Sequence, residues 1–456
     1  MSQKTKRPNY LGQRGYSLIK ENYSTSQLNE VRRDLTVKPF VNKQFSAEAA
    51  PFSVFLESKK KLYLPRYYAT DKFGPAINKL KSQAINLEFN SSLRPKQVPV
   101  ADTFLKAAKE KGGGIISVPC GFGKTVLALY ILCQLGKKAI VIVHKEFLMD
   151  QWKERIEDFI PQARVGKLQG NIVKVEGYDI VLGMLQSVSM REYDESVFEG
   201  FGLVIYDECH HLGAEVFSRS LMKVGCEYTL GLSATPDRND GLTKVFKWFL
   251  GDIVYLIKKR DKEDVNVKLI KYYHESNEYS DEILNFKGQI IMAKMINNIC
   301  AFVPRNEIII DEIMKCYQDG RKTLILSDRR AHLTYLKEKL DAFNSVTSGY
   351  YLGGMKQEAL KESESKDVML GTFMMASEGF DCKELDTIIL ASPKSNVEQA
   401  VGRILRKKKE DREKVPLIID IIDDFSVFSR QGDKRKKFYQ KNDYEIEIVK
   451  IYTEVS

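Results

Sequence analysis

Residues 118–125 read Val118-Pro-Cys-Gly-Phe-Gly-Lys-Thr125. The preceding Gly112-Gly-Gly-Ile-Ile-Ser-Val-Pro119 has the apolar run of a buried strand, and Thr125-Val-Leu-Ala-Leu-Tyr-Ile-Leu-Cys-Gln-Leu135 that of an apolar helix. A strand, a glycine-bearing turn and a helix in that order gather backbone N–H groups at a helix N-terminus, a concave seat for an anion. Gly121 and Gly123 let the backbone turn inward without Cβ clashes. Lys124 is placed to set its ammonium on β- and γ-phosphates, and Thr125 to offer its hydroxyl to Mg2+. Loops of this kind generally begin with glycine, and here Val118 stands there.

Downstream, Leu203-Val-Ile-Tyr-Asp-Glu-Cys-His210 is an apolar strand ending in two acids. A strand tip presents Asp207 beside the loop as a Mg2+-associated carboxylate, and Glu208 as the general base that orients and deprotonates a water. Strands are expected in Lys138-Ala-Ile-Val-Ile-Val-His144, at 178–185 and at 227–235, with a helix over 147–159. Runs apolar on both faces predict a parallel sheet covered by helices on both sides. A second series of the same kind runs from about Asn306, with strands at 322–327, 367–372, 387–393 and 416–422. Its last helix is expected over 397–409 and carries Gln399, Arg403 and Arg406. The predicted architecture is α/β: a small accessory domain at 1–90, parallel-sheet domains at 91–255 and 305–456, and an exposed connector or insertion at 256–304. In the accessory domain, Phe52 to Glu57 and Lys61 to Tyr68 are expected as strands joined by a turn over Ser58 to Lys61.

Formal charge +10 favours polyanionic partners. The seven cysteines (Cys120, Cys133, Cys209, Cys226, Cys300, Cys316, Cys382) are scattered, without the close pairs of a zinc site, and read as reduced thiols. His210 and His211 have no cysteine at ligand spacing. No apolar run reaches spanning length, and the polar start lacks a signal-peptide core. These features predict an intracellular, cytoplasmic protein with no membrane partner.

At this point the motifs resemble the DExH type of superfamily 2 helicases. Asp207 to His210 resembles motif II, Ser233-Ala-Thr235 motif III, Gly371-Thr-Phe-Met-Met-Ala-Ser-Glu-Gly-Phe-Asp381 motif V, and Gln399-Ala-Val-Gly-Arg-Ile-Leu-Arg406 motif VI. Leu93-Arg-Pro-Lys-Gln97 resembles the segment whose glutamine contacts adenine. Within the superfamily the chain is most similar to the XPB-like group, though Arg238-Asn-Asp240 stands where that group has Arg-Glu-Asp. Its build looks like the helicases of large DNA viruses and phages, the poxvirus late-transcription type included, which would place it in a viral factory or virion.

The resemblance implies two tandem RecA-like domains, ATP and Mg2+ as cofactors, and a monomeric motor on single-stranded or duplex DNA, working with transcription or repair machinery. RNA is the alternative track. It also implies that Gln399, Arg403 and Arg406 act on the triphosphate, the two arginines facing the same way at i, i+3 on one helix. A solvated basic helix with Val401, Ile404 and Leu405 inward is the plainer reading of that segment. Ser233 and Thr235 would couple the sites; His144, Lys145, Gln186 and Thr372 would line the strand, and Gly379 and Asp381 would serve either coupling or the nucleic acid. A non-enzymatic ATP-gated clamp is the competing class. A fused nuclease finds no free acidic cluster, since Asp420, Asp423 and Asp424 read as the end of a strand.

Overall fold

The structure, a computed structural model, describes residues 7–40, 50–119, 121–209, 215–234, 241–257, 263–378, 382–407 and 409–453. Thr235, Gly379, Asp381, Cys120, His210, His211 and the Arg238-Asn-Asp240 triplet lie outside the described residues. The chain forms two compact units, Met1–Lys259 and Arg260–Ser456.

The first unit is built on an eight-stranded sheet. Its order is Ile172–Lys174, Val165–Gln169, Ile180–Met184, Ala139–Val143, Leu203–Tyr206, Tyr228–Ser233, Gly113–Ser117 and Ile253–Leu256. Every pairing is parallel except that of the first two strands. Strand periodicity explains the apolar runs. Ile140 and Ile142 enter one core cluster while Ala139, Val141 and Val143 enter another, and Val204 and Tyr206 part from Leu203 and Ile205 in the same way. The cluster holding Ala139, Val141 and Val143 is closed by the helices Lys124–Leu135 and Glu146–Phe159.

The opposite face is covered partly by the N-terminal residues. A sheet ordered Leu56–Glu57, Lys61–Leu64, Gly15–Ile19, Tyr10–Gly12, Ile77–Asn78 sends Tyr16, Leu18, Leu62 and Leu64 into the same cluster as Ile140 and Ile142. The turn over Ser58 to Lys61 is present, closed by Ser58 N–H to Lys61 C=O at 2.9 Å. Two expectations are corrected here. The first stretch is two short strands, Phe52–Ser53 pairing with Thr36–Val37 and Leu56–Glu57 with Lys61–Leu64. Pro65, lacking an N–H, ends the next strand and opens the helix Arg66–Phe73, so Arg66 to Tyr68 are helical.

Residues 80–90 belong by contact to the sheet rather than to the N-terminal fold. Ser82 and Ala84 bridge to Gly200 and Lys137, and the Phe89 ring stacks on Phe159 with centroids 5.5 Å apart.

The second unit has seven parallel strands, ordered Ser348–Tyr351, Val368–Gly371, Thr323–Leu326, Thr387–Leu390, Leu417–Asp423, Asn266–His274 and Glu445–Thr453. The expectation of a connector at 256–304 therefore fails for much of its length. Asn266–His274 is an interior strand whose Val267, Leu269, Ile270 and Tyr272 are buried, and Met292–Ala301 is a helix. Its lysines point out between those positions, Lys268 to Glu312 at 2.7 Å and Lys271 to Asp424 at 3.4 Å. Among the described residues, no helix is long and apolar enough to cross a membrane.

Buried charge is concentrated in this unit. Arg305 grips Asp423 through two N–H···O contacts of 2.5 and 3.0 Å, both side chains fully buried, and the Tyr279 hydroxyl donates to the same carboxylate at 2.6 Å. Arg305→Met, which strands the Asp423 charge, should lower unfolding stability by about 3–5 kcal/mol in a denaturant titration. His332 donates from Nε2 to the Asn306 side-chain oxygen at 2.9 Å and accepts at Nδ1 from the Ser327 hydroxyl at 3.0 Å, and it is held neutral, its pKa pulled by burial and by the Arg305 charge from the ordinary 6.5 to about 3. A depressed histidine contributes stability at pH above 6.5 that drains away as pH falls towards about 3. Over that window the stability slope should approach about 1.4 kcal/mol per pH unit from this group, and His332→Gln should flatten it in acid-unfolding curves.

Candidate nucleotide site

The loop strand Gly113–Ser117 and the acid strand Leu203–Tyr206 flank Tyr228–Ser233 in the sheet, so Val118, Asp207 and the residue after Ser233 leave the same edge. This is the carboxyl edge of a parallel sheet, where strand ends and helix starts present free backbone groups. Pro119 C=O receives the Phe122 N–H at 3.3 Å, turning the chain back on itself. Gly121 and Gly123 both take positive φ, 83° and 89°, as the loop reading requires. Gly123 is the N-cap of the helix Lys124–Leu135.

Gly123 has a second reason to be glycine: a Cβ there would stand 2.6 Å from the Gln97 side-chain nitrogen. Gln97 is buried, at 2% exposure, and its carboxamide is spent on the chain. Nε2 donates to the Phe122 and Gly123 carbonyls at 3.0 and 3.3 Å, and Oε1 accepts from Arg94 N–H at 3.0 Å. The residue expected to meet adenine thus braces the phosphate loop in this structure.

Lys124 Nζ lies 2.6 Å from Glu208 Oε1, both side chains mostly enclosed. Asp207 is buried, with Oδ2 accepting the Trp152 indole N–H at 2.8 Å and Oδ1 accepting the Glu208 backbone N–H at 2.9 Å. Burial pushes the Asp207 carboxyl up, as does the adjacent Glu208 charge; Lys124 and the two N–H donors oppose that rise. Glu208 itself sits at φ 47°, left-handed backbone that costs a non-glycine residue about 1–3 kcal/mol. That turn lets one residue send its N–H back to Asp207 and its carboxylate on to Lys124.

The other expected positions divide. Ser233 is fully buried and pairs in register with Ser117, and its carbonyl takes the Val118 N–H at 3.0 Å. Gln186 Nε2 donates to His144 C=O at 3.0 Å, and Lys145 stands at the N-cap position of the helix Glu146–Phe159. In the second unit Thr372 stands before the helix Phe373–Glu378, its hydroxyl 3.4 Å from Met375 N.

The helix expected over 397–409 is corrected. Helix geometry covers Glu398–Val401, after which Arg403 and Ile404 N–H groups bond three residues back, to Ala400 and Val401. This tighter winding buries Ile404 and turns Arg403 inward, where its Nε donates to Ala376 C=O. Arg406 lies beyond those turns and is half-buried, so the two arginines do not share a helical face. Trp152 was the residue sequence reasoning missed. Its spacing with Leu148 and Ile156 marks a core stripe, which it also is, and nothing in the pattern shows where its N–H points.

A glycine loop at a helix start, a lysine and two acids on one sheet edge define a phosphate-loop nucleotide hydrolase. Comparison with known proteins narrows this. Residues 90–238 match the family described as "Type III restriction enzyme, res subunit", and residues 304–408 match "Helicase conserved C-terminal domain". A protein of Acanthamoeba polyphaga mimivirus, named as an ATP-dependent RNA helicase, is 36% identical over 446 residues, covering 95% of this chain and 85% of its own. A protein of Invertebrate iridescent virus 6, named as a helicase, is 26% identical over 382 residues, covering 79% and 84%. One of African swine fever virus, named as an ATP-dependent RNA helicase, is 27% identical over 351 residues, covering 72% and 68%. A solved structure, that of UvsW, aligns over 94% of this chain and 96% of its own at 16% identity, with a TM-score of 0.36. The chain belongs to the superfamily 2 helicases, in the company of those of large DNA viruses and phage, and is a nucleic-acid-dependent ATPase.

Loss of the Gln97 brace should loosen the loop. Gln97→Ala is expected to weaken ADP binding roughly tenfold, the scale of one or two lost hydrogen bonds of about 1 kcal/mol each. Gln97→Glu keeps the acceptor for Arg94 N–H but removes the donor, and equilibrium titration of both variants separates the two contributions.

Proposed function

We propose that the chain is a motor that hydrolyses ATP with Mg2+ and uses the energy to move along, or unwind, DNA in transcription or repair. The observation that carries the hydrolytic half is the Lys124–Glu208–Asp207 chain of contacts at the loop. Lys124 is assigned to the β- and γ-phosphates, which replace Glu208 as its partner when nucleotide arrives. Glu208, released from the ammonium, then orients the attacking water and takes its proton.

The donor set suits Mg2+. Each Asp207 oxygen accepts one N–H and keeps lone-pair capacity, and carboxylate and hydroxyl oxygens are the hard ligands this ion prefers. Asp207 and Thr125 are the residues assigned to hold it, and the ion would supply charge neutralisation at the phosphate oxygens. Gln97, expected on the adenine side of the pocket, is assigned to holding the phosphate loop through the Phe122 and Gly123 carbonyls. Gln399, Arg403 and Arg406 are assigned to the charge that develops on the transferring phosphoryl group, a task for which an arginine typically gives about 10³–10⁵ in rate. Ser233 is assigned to coupling; His144, Lys145, Gln186 and Thr372 are assigned to the nucleic-acid track, where backbone-phosphate contacts make binding salt-sensitive and sequence-tolerant.

RNA is the second reading, favoured by the names of the mimivirus and African swine fever virus relatives. Steady-state phosphate release with no nucleic acid, single-stranded DNA, duplex DNA or RNA separates the two, because along the backbone the ribose 2′-OH is the difference to be sensed. DNA should stimulate most, and Glu208→Gln should lower the stimulated rate by about 10²–10⁴. Stimulation by RNA alone would transfer the motor to an RNA track.

A further inference from the structure

Asp207 has a neighbour that the hydrolytic reading leaves unused. Trp152 sits in the helix Glu146–Phe159, at 1% exposure, among the apolar cluster that includes Leu148, Met149 and Ile156. Apart from its backbone, an indole has one polar atom, a donor that does not titrate. Here that donor lies 2.8 Å from Asp207 Oδ2.

We propose that Trp152 is the positioning residue for the magnesium-holding carboxylate: core packing immobilises the indole, and its N–H sets the rotamer of Asp207 and shares its buried charge. This inference rests on the assignment of Asp207 to Mg2+ made above. The physical case is one of selection among donors. A buried carboxylate needs hydrogen bonds to remain an anion out of water. A lysine or arginine in this place would supply them but would repel a divalent cation, and an arginine would also occupy both oxygens bidentately. A hydroxyl would be free to rotate and to turn towards another acceptor. A neutral N–H on a rigid, fully packed ring holds one oxygen in one direction and leaves its other lone pair to the ion. The Glu208 N–H does the same at Oδ1, so both oxygens are oriented by neutral donors.

The test uses the full chain and its two tryptophans, Trp152 and Trp248. Trp152→Phe keeps the ring but removes the donor. It should raise the Mg2+ concentration for half-maximal ATPase about tenfold, leave ADP affinity in EDTA unchanged, and cause no further loss when added to Asp207→Asn. A wild-type Mg2+ requirement in Trp152→Phe, or full additivity of the two losses, overturns the proposal. An independent readout leaves residue 152 intact. In Trp248→Phe, whose sole indole is Trp152, adding Mg2+ to the ADP-loaded protein should change the emission, and Asp207→Asn should abolish that change. Unchanged emission overturns the proposal even if Trp152→Phe proves too unstable to assay. An Asp207→Asn protein with an unaltered Mg2+ requirement would instead show that the metal assignment had failed, taking the indole's role with it.

Discussion

A carboxylate withdrawn from water at the end of a parallel strand sets the layout of the first unit. Burying such a charge without partners costs several kcal/mol, so Asp207 must be met by donors wherever it stands. One comes from the helix Glu146–Phe159, through Trp152, and ties that helix to the strand Leu203–Tyr206. The other is the next backbone N–H, and reaching it puts Glu208 into left-handed backbone. That same turn aims Glu208 at Lys124, the first residue of the loop helix. Gln97 then anchors the loop just before Lys124 through the Phe122 and Gly123 carbonyls. Strand, core helix, strained turn and phosphate loop thus form one connected set of hydrogen bonds.

The second unit buries acids too, with the opposite consequence. Asp423 is held by the Arg305 guanidinium and the Tyr279 hydroxyl, and Asp420 by the Arg435 guanidinium and the Tyr439 hydroxyl. Cationic forks occupy these carboxylates from within the same unit, which makes them structural and argues against their serving as nuclease metal ligands. The difference from Asp207 is not burial but the charge of the donors. Neutral N–H groups stabilise an anion while leaving it able to attract a cation.

The parts of this arrangement legible in the sequence were those with short-range chemical grammar. Gly121, Gly123 and Lys124 announce a loop because positive φ and a helix start leave a local trace, and Leu203 to Tyr206 announce a strand buried on both faces. Asn266–His274 was missed because its lysines break the apolar run; they reach Glu312 and Asp424, partners far off in the chain. Glu445–Thr453 lies at the sheet edge, where alternation with charged residues resembles a solvated tail. The arginine segment misled in another way: helix-like apolar spacing at Val401, Ile404 and Leu405 persists although the helix proper stops at Val401. Trp152 was invisible because its packing explains its presence completely, and an indole's direction is a tertiary fact.

The departure at Val118 becomes intelligible at the same level. Its N–H bonds to the Ser233 carbonyl, so the residue continues the ladder between Gly113–Ser117 and Tyr228–Ser233 and is fully buried. A position still within the ladder has no need of glycine's left-handed freedom, whereas a branched apolar side chain suits a buried strand end. The turn starts only after Pro119, and the positive φ angles fall at Gly121 and Gly123. The ladder therefore runs on to Val118 before the loop begins. The Val118 backbone N–H fastens the loop's first residue to Ser233, so any displacement of that strand end must move Val118 or break a buried backbone hydrogen bond, an exchange that costs about 1–3 kcal/mol. A direct covalent and hydrogen-bonded path thus runs from Ser233 to the phosphate seat, without requiring the Ser233 hydroxyl to touch nucleotide.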